Sequence, residues 1–244
     1  MRLVTFNITS LDGRIAVSGS TPSMLDPRWK PLEGFEPVDV MTLHQTRLLL
    51  EGSNSFTART AGPADFGDYA RQEVPAGDFL PSSVRSHQGR WMVVADSRAR
   101  VRWNTFEMDG TKLAVLLAAA TPAPYRAFLR DHEVPYFEAG PEGVDLPAAL
   151  ARLAAVFAAS SIVSNAGGVL NGVLLRAGLV DEAAYSSFRR SWGTRGHPPS
   201  SRGSAWAHPA FPPRLSSSRR KHVPTARSSP ATPSCERPHP PDHG

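Results

Sequence analysis

Two rhythms of apolar residues run along this chain. Short continuous apolar runs bounded by turn residues read as buried strands, and apolar positions three and four apart read as helices packed on one face. Met1 to Ile8 alternates loosely and is rich in β-formers, which predicts a strand broken by Thr9-Ser-Leu-Asp-Gly13. Residues 18–37, full of Gly, Pro and Ser, read as a loop. Val38 to Gln45 predicts a short helix with Val38, Met41 and Leu43 inward, and Thr46 to Glu51 a buried strand ending in the turn Gly52-Ser-Asn-Ser55. From Thr57 to Gln88 the periodicity fails, leaving an irregular connection with one helix near Phe66 to Arg71. Trp91 to Ala95 and Lys112 to Ala118 predict two more strands, the first ending at Asp96-Ser97-Arg98. Thr121-Pro122 reads as a cap and first-turn proline for a helix that turns Tyr125, Phe128 and Leu129 inward. Val134 to Glu138 is short and extended, and Pro135 suits a sheet edge or a strand start. Asp145 caps a helix striped by Leu146, Leu150, Leu153 and Phe157. Ile162-Val163 then leads through Gly167-Gly168 into a helix with Leu170, Val173, Leu174 and Ala177 on its apolar side, closed by Gly178.

The succession strand, helix, strand, helix from Lys112 to Gly178 is a run of βαβ units. The fold class is therefore α/β, with a sheet at least partly parallel and helices on its faces. After Phe188 the text changes: residues 189–244 carry 11 of the 23 prolines, mixed with Ser, Arg, His and Gly. Too little apolar surface remains there to offset ordering entropy, so a disordered Pro/Ser/Arg-rich tail is expected after a domain of residues 1–188. Charge follows the same division. Residues 186–244 hold 10 of the 27 Lys+Arg and two of the 22 acidic residues, a balance of +8, which leaves 17 − 20 = −3 for residues 1–185. A net acidic folded part argues against a nucleic-acid partner, although the basic tail on its own is a competing basis for one. Cys235 lies in the tail and the tail histidines lack ligand spacing, so neither disulfides nor metal are expected. No run approaches a membrane span and no signal-peptide layout opens the chain, so a cytoplasmic protein with no membrane partner is expected.

Three junctions could carry chemistry, and each also has a plain structural reading. Gly167-Gly168 at a strand-to-helix turn lets the backbone approach a phosphate or pyrophosphate at a helix N-terminus, although glycine pairs are common in ordinary turns. Gly52 to Ser55 is a second phosphate cradle or merely a polar turn. Arg98 after a buried strand can read the 2′-phosphate of an NADP-type cofactor or simply solvate a loop. At the first strand's end, Ser10 and Asp12 either border a ligand or form a surface turn.

Taken together, Thr9-Ser-Leu-Asp-Gly-Arg-Ile15, Val93-Val-Ala-Asp-Ser-Arg98 and Asn165-Ala-Gly-Gly-Val-Leu-Asn-Gly-Val-Leu-Leu-Arg-Ala-Gly-Leu-Val-Asp-Glu182 resemble the pyrimidine reductase domain of riboflavin biosynthesis. That domain is the C-terminal half of the bifunctional deaminase-reductase and a relative of dihydrofolate reductase. The resemblance spans roughly residues 1–185, and no zinc-deaminase signature precedes it. It implies a three-layer α/β/α fold with a mostly parallel sheet, and hydride transfer from NADPH to a ribosylamino-pyrimidine phosphate or a related small molecule. Carried over, Gly167, Gly168, Val169 and Leu170 lie against the cofactor pyrophosphate, with Gly52, Ser53 and Asn54 adding contacts and Ser97 with Arg98 meeting the adenosine phosphate. Asn7, Thr9 and Ser10 border the substrate. Asp12 and Asn165 take the catalytic positions, Asp12 to orient substrate or relay a proton. Homodimers are expected because relatives commonly pair.

Two departures qualify the resemblance. The biosynthetic enzymes generally carry Glu where this chain has Asn165, and an amide cannot shuttle a proton at pH 7. In the family an apolar strand and further strands follow Leu-Val-Asp-Glu, whereas here Ala183-Ala-Tyr-Ser-Ser-Phe188 begins such a strand and runs into Arg189-Arg-Ser-Trp-Gly. The closing strands are therefore expected to be missing and residues 189–244 to be a frameshift product. A non-catalytic nucleotide-binding domain on the same scaffold is the alternative function.

Overall fold

Residues 1–10, 15 and 37–188 are described in the computed structural model. Along them run β1 (Arg2–Ser10), α1 (Pro37–Leu43), β2 (Leu48–Gly52), α2 (Ser83–Ser86), β3 (Arg90–Ala95), β4 (Glu107–Met108) and β5 (Thr111–Leu117). Then follow α3 (Ala123–Asp131), β6 (Tyr136–Glu138), α4 (Leu146–Val156), β7 (Ser161–Ser164), α5 (Gly168–Arg176) and β8 (Glu182–Phe188). The strands form one sheet in the order β4-β5-β3-β2-β7-β1-β8, with β6 also paired to β5. Every ladder is parallel except the two-residue pairing of β4 with β5. This follows from the apolar rhythm: continuous runs can be buried on both faces, and intervening helices supply the crossovers that parallel pairing needs.

Alternate residues of each strand feed opposite faces of the sheet. Leu3, Leu48, Leu50, Trp91, Val93, Leu116 and Ile162 pack with Leu146, Leu150 and Leu153 of α4 and Leu174 of α5. On the other face Val94, Leu113, Val115 and Leu117 meet Tyr125, Phe128 and Leu129 of α3, while Val4, Phe6, Leu49 and Val163 meet Val40 and Met41 of α1. The result is the expected three-layer α/β/α arrangement. Each fully buried Leu or Phe contributes roughly 1.5–3 kcal/mol of transfer free energy, so this two-sided core outweighs any single cap or turn.

Several local expectations change. α1 buries Val40 and Met41, while Leu43 is 68% exposed, because the helix begins one residue earlier and turns a different stripe inward. Near Phe66 there is one turn of 3-10 helix, Gly67–Tyr69, and not an α-helix. Thr121 does not cap α3. Its hydroxyl accepts from the Ala118 N–H at 3.0 Å and donates to the Ser97 carbonyl at 2.8 Å, and α3 starts at Ala123 with no capping side chain. In α5 the buried positions are Asn171 and Leu174, while Val169, Val173 and Ala177 are exposed. Asp145 caps α4 through the Ala148 N–H at 3.1 Å, as read from the sequence. After α5, Gly178 takes φ +67, and the Gly178 and Leu179 N–H groups return to the Leu175 and Leu174 carbonyls, a Schellman closure.

β8 forms, parallel to β1 from Val4↔Glu182 to Ser10↔Phe188. Asp12, most of the loop over 18–37 and the tail 189–244 lie outside the described residues.

Topology decides where a ligand can sit. α1 follows β1 on one face, and the chain re-enters the sheet as β2, two places away. β7 fills the gap and leaves through α5, on the other face, to β8 beyond β1. Crossovers running opposite ways on opposite faces open a crevice at the carboxyl ends of β1, β7 and β2.

Candidate functional site

β7 ends at Ser164, and the next N–H, that of Asn165, donates to the Leu50 carbonyl at 3.0 Å, fastening the turn to the end of β2. Gly167 is the N-cap of α5 and brings no capping side chain, so the first-turn N–H groups and the positive end of the helix face outward together. Among the described residues a Cβ built on Gly167 would find no atom within 4 Å, and one on Gly168 would meet Ile15 Cδ1 at 3.8 Å. The described residues leave the space beside Gly167 open, while a Cβ on Gly52 would touch Leu170 at 3.8 Å and close one wall. This cradle has room for a phosphate against bare backbone.

A polar lattice under the turn holds it in place. Asn171 Nδ2 donates to Asn7 Oδ1 at 3.0 Å and to the Ala166 carbonyl at 2.7 Å, and Asn7 Nδ2 donates to the same carbonyl at 2.9 Å. Ser164 Oγ donates to Asn171 Oδ1 at 2.7 Å. Both polar atoms of Asn7 are thus engaged in shaping the turn. Such a fully satisfied buried network fixes one geometry, because breaking any member leaves unpaired groups behind.

Beside it lies Glu51, 2% exposed at the carboxyl end of β2. Its Oε1 accepts from Asn165 Nδ2 at 2.9 Å and its Oε2 from Ser55 Oγ at 2.8 Å, and the Gly52 N–H bonds to it as well. Burial nevertheless dominates and raises its pKa from 4.5 to about 7. Between those values the folded protein holds a proton that the unfolded chain has released. Stability from this group is therefore complete below pH 4.5 and lost as pH rises through about 7. The expected loss is on the order of 3 kcal/mol. In Glu51→Gln that slope disappears, so the gap between parent and variant in urea unfolding should shift in the variant's favour from pH 5 to pH 8. A gap independent of pH would refute the assignment.

The end of β3 supplies the third part of the rim. Asp96, 1% exposed, accepts from the Arg100 N–H at 3.0 and 2.9 Å and from the Val101 N–H at 3.0 Å, which folds residues 97–101 into a tight loop. Burial raises the Asp96 pKa, and these N–H groups work against the rise. Arg100 points back under the rim, 4% exposed, donating to Asn54 Oδ1 at 2.6 Å, Ser53 Oγ at 3.4 Å and the Ala58 and Ala61 carbonyls. Arg98 is exposed at the outer edge of this loop, and Ser97 is half-buried, its carbonyl held by Thr121.

Strand register brings Gly52, Ser53, Asn54, Asn165, Gly167, Gly168 and Leu170 to one edge, with Ser97 and Arg98 one strand further out. Asn7 and Thr9 lie on β1 next to β7, and Ser10 ends that strand. From β1 to β3 the rim spans three strand spacings, about 14 Å. Glu51, Arg100 and Asn171 escape a reading of the sequence. For Glu51 a signal exists: a charge closing an apolar run must be buried with it. Among the described residues no cluster of His, Cys, Asp and Glu could hold a metal, and no helix is long and apolar enough to cross a membrane.

A sequence profile described as the RibD C-terminal domain matches residues 2–187. The chain belongs to that family. Among solved structures, RibD of Acinetobacter baumannii matches this RibD C-terminal domain with a TM-score of 0.50 at 18% identity, over 79% of this chain and 47% of that one. The chain thus spans about half the length of that relative, and the likeness is one of fold. A pyrimidine reductase-like protein of Corynebacterium diphtheriae matches at 16% identity and a TM-score of 0.49, over 78% of this chain and 75% of that one. The riboflavin biosynthesis reductase of Saccharomyces cerevisiae matches at 18% and 0.43, over 81% and 79%. No curated protein sequence matches.

Proposed function

We propose that this RibD C-terminal domain is an NADPH-dependent reductase of the riboflavin-biosynthesis type, acting on a ribosylamino-pyrimidine or a chemically related substrate. The observation that carries the reading is the open backbone cradle at Gly167 and Gly168, set at the switch point of a parallel sheet beside the Gly52 turn. Family membership and the reductases among its structural neighbours support an oxidoreductase. NADPH, when bound, supplies the hydride, so this chain's own residues have the tasks of binding and orientation. Gly167, Gly168, Val169 and Leu170 with Gly52, Ser53 and Asn54 would hold the pyrophosphate, and Ser97 with Arg98 the adenosine phosphate. Thr9 and Ser10 would border the substrate with Asp12, and Asn7 would act through the turn it braces.

Asn165 favours a second reading. Its amide cannot move a proton, which suits a domain that binds a nucleotide without turning it over. Titrating the protein with NADPH and NADH separates these possibilities from a non-nucleotide function. Micromolar NADPH affinity with weaker NADH binding is expected, and binding of neither removes the proposal. Loss of cofactor near-ultraviolet absorbance with aminopyrimidine ribosides then distinguishes the reductase from the silent binder.

A further inference from the structure

Asn165 is a half-buried rim residue with one end of its side chain tied inward. Its Nδ2 donates inward to Glu51 Oε1 at 2.9 Å, and its Oδ1 is neither buried nor matched with a donor among the described residues. The chemistry of Glu51 determines which way the amide points. A carboxylate oxygen accepts, so turning the amide over would set two acceptors against each other. When Glu51 binds a proton on Oε2, the Ser55 hydroxyl can rotate to accept it, and Oε1 still accepts from Asn165. A proton on Oε1 would suit an overturned amide, so the orientation is fixed while Glu51 is ionised, above a pH of about 7. Among the described residues no charged side chain hydrogen-bonds to Glu51 or Asn165, and Arg100 is occupied with Ser53, Asn54, Ala58 and Ala61.

We propose that Glu51 is a positioning residue that holds the Asn165 amide with Oδ1 facing the crevice, so that this corner selects a ligand group bearing an amide-type N–H donor. Such a donor belongs to the carboxamide of a nicotinamide or to the ring of a pyrimidine. The ligand's identity rests on the reductase reading above; the orientation of the amide does not.

Two measurements test it. In the free protein, the Asn165 side-chain NH2 signals, identified by their loss in Asn165→Ala, should show slowed hydrogen exchange in the parent and in Glu51→Gln. The amide introduced by that substitution can accept from Asn165 and donate to Ser55. In Glu51→Leu the exchange should rise to that of an exposed amide. Exchange already that fast in the parent overturns the proposal whether or not any nucleotide binds. The second measurement is binding of NADPH, of its 3-acetylpyridine analogue, which lacks the N–H donor, and of 5,6-diaminouracil. Asn165→Ala and Glu51→Leu should each weaken a donor-bearing probe about tenfold, the worth of one neutral hydrogen bond, while Glu51→Gln stays within about twofold. Weaker NADPH binding with the acetyl analogue unaffected assigns the carboxamide, and weaker diaminouracil binding alone assigns the pyrimidine. Equal loss for NADPH and its acetyl analogue, or no loss for any probe, overturns the selection of a donor. Thermal melts run alongside distinguish a misfolded Glu51→Leu from a misaligned one, and Asn165→Ala, altered at a half-buried rim position, carries the test if Glu51→Leu fails to fold.

Discussion

Gly167→Asp should fold at least as well as the parent and lose affinity for NADPH about 100-fold. The two effects have opposite signs because they come from different atoms. Gly167 sits at φ −69 and ψ 173, extended backbone open to any residue, so no strain accompanies a side chain there. As the N-cap of α5 it leaves the first turn uncapped, and Asp is among the preferred N-caps, better than Gly by a few tenths of a kcal/mol. The new carboxylate, however, would occupy the space in which a Cβ meets no atom of the described residues, and would put negative charge where the pyrophosphate is expected. Repulsion and lost backbone contacts together amount to about 2–3 kcal/mol, the equivalent of that factor. Melting curves and a cofactor titration on the same preparation check both halves. Unchanged affinity would mean that the cradle does not hold the diphosphate.

Arg100→Ala should destabilise the domain by about 3–5 kcal/mol, whereas Arg98→Ala, two residues away, should leave the melting temperature unchanged. Arg100 is buried and ties β3 to residues 53–61, so its loss strands the Ala58 and Ala61 carbonyls, Ser53 and Asn54. Burial lowers the Arg100 pKa and the neighbouring Arg98 lowers it further, while Asp96 works against both, so two guanidinium groups are close enough here to repel each other. A doubly charged phosphate at the rim would relieve that repulsion. Arg98→Ala should accordingly reduce the preference for NADPH over NADH about tenfold, while leaving NADH affinity unaffected. Equal affinities of parent and variant for both cofactors would remove the 2′-phosphate assignment. Chemical denaturation of Arg100→Ala with an unshifted midpoint would equally reject the bracing role.

How much of this is legible in the residues depends on what kind of signal each part emits. The strands that carry the rim are continuous apolar runs, and Leu48 to Leu50, Trp91 to Ala95 and Leu113 to Leu117 fall where the run lengths put them. α4 is equally plain, since its stripe from Leu146 to Phe157 and its Asp145 cap agree. The glycine turn can be read because strand, Gly-Gly and helix occur in order. What holds the turn cannot. Asn171 interrupts an apolar stripe, and its burial depends on Asn7, 164 positions away, supplying the matching amide. The phase of α1 is misleading because a seven-residue helix offers too few turns to fix its inward face. Thr121-Pro122 looks like a cap, but the hydroxyl serves the loop at Ser97, a tertiary demand that outweighs the local preference.

The earliest of the described strands in chain order is the one whose partners are made last. Among the described residues β1 pairs with β7 and β8 alone, so Arg2–Ser10 has no described ladder until residues 161–164 have been synthesised and only one until 182–188 follow. At ordinary elongation rates that interval is about 8–35 s, during which a strand rich in β-formers has no neighbour and must be kept from strangers. Parallel pairing across such separations also folds slowly once the chain is complete. Ribosome-bound chains that stop short of residue 161 are therefore where chaperone dependence should be greatest.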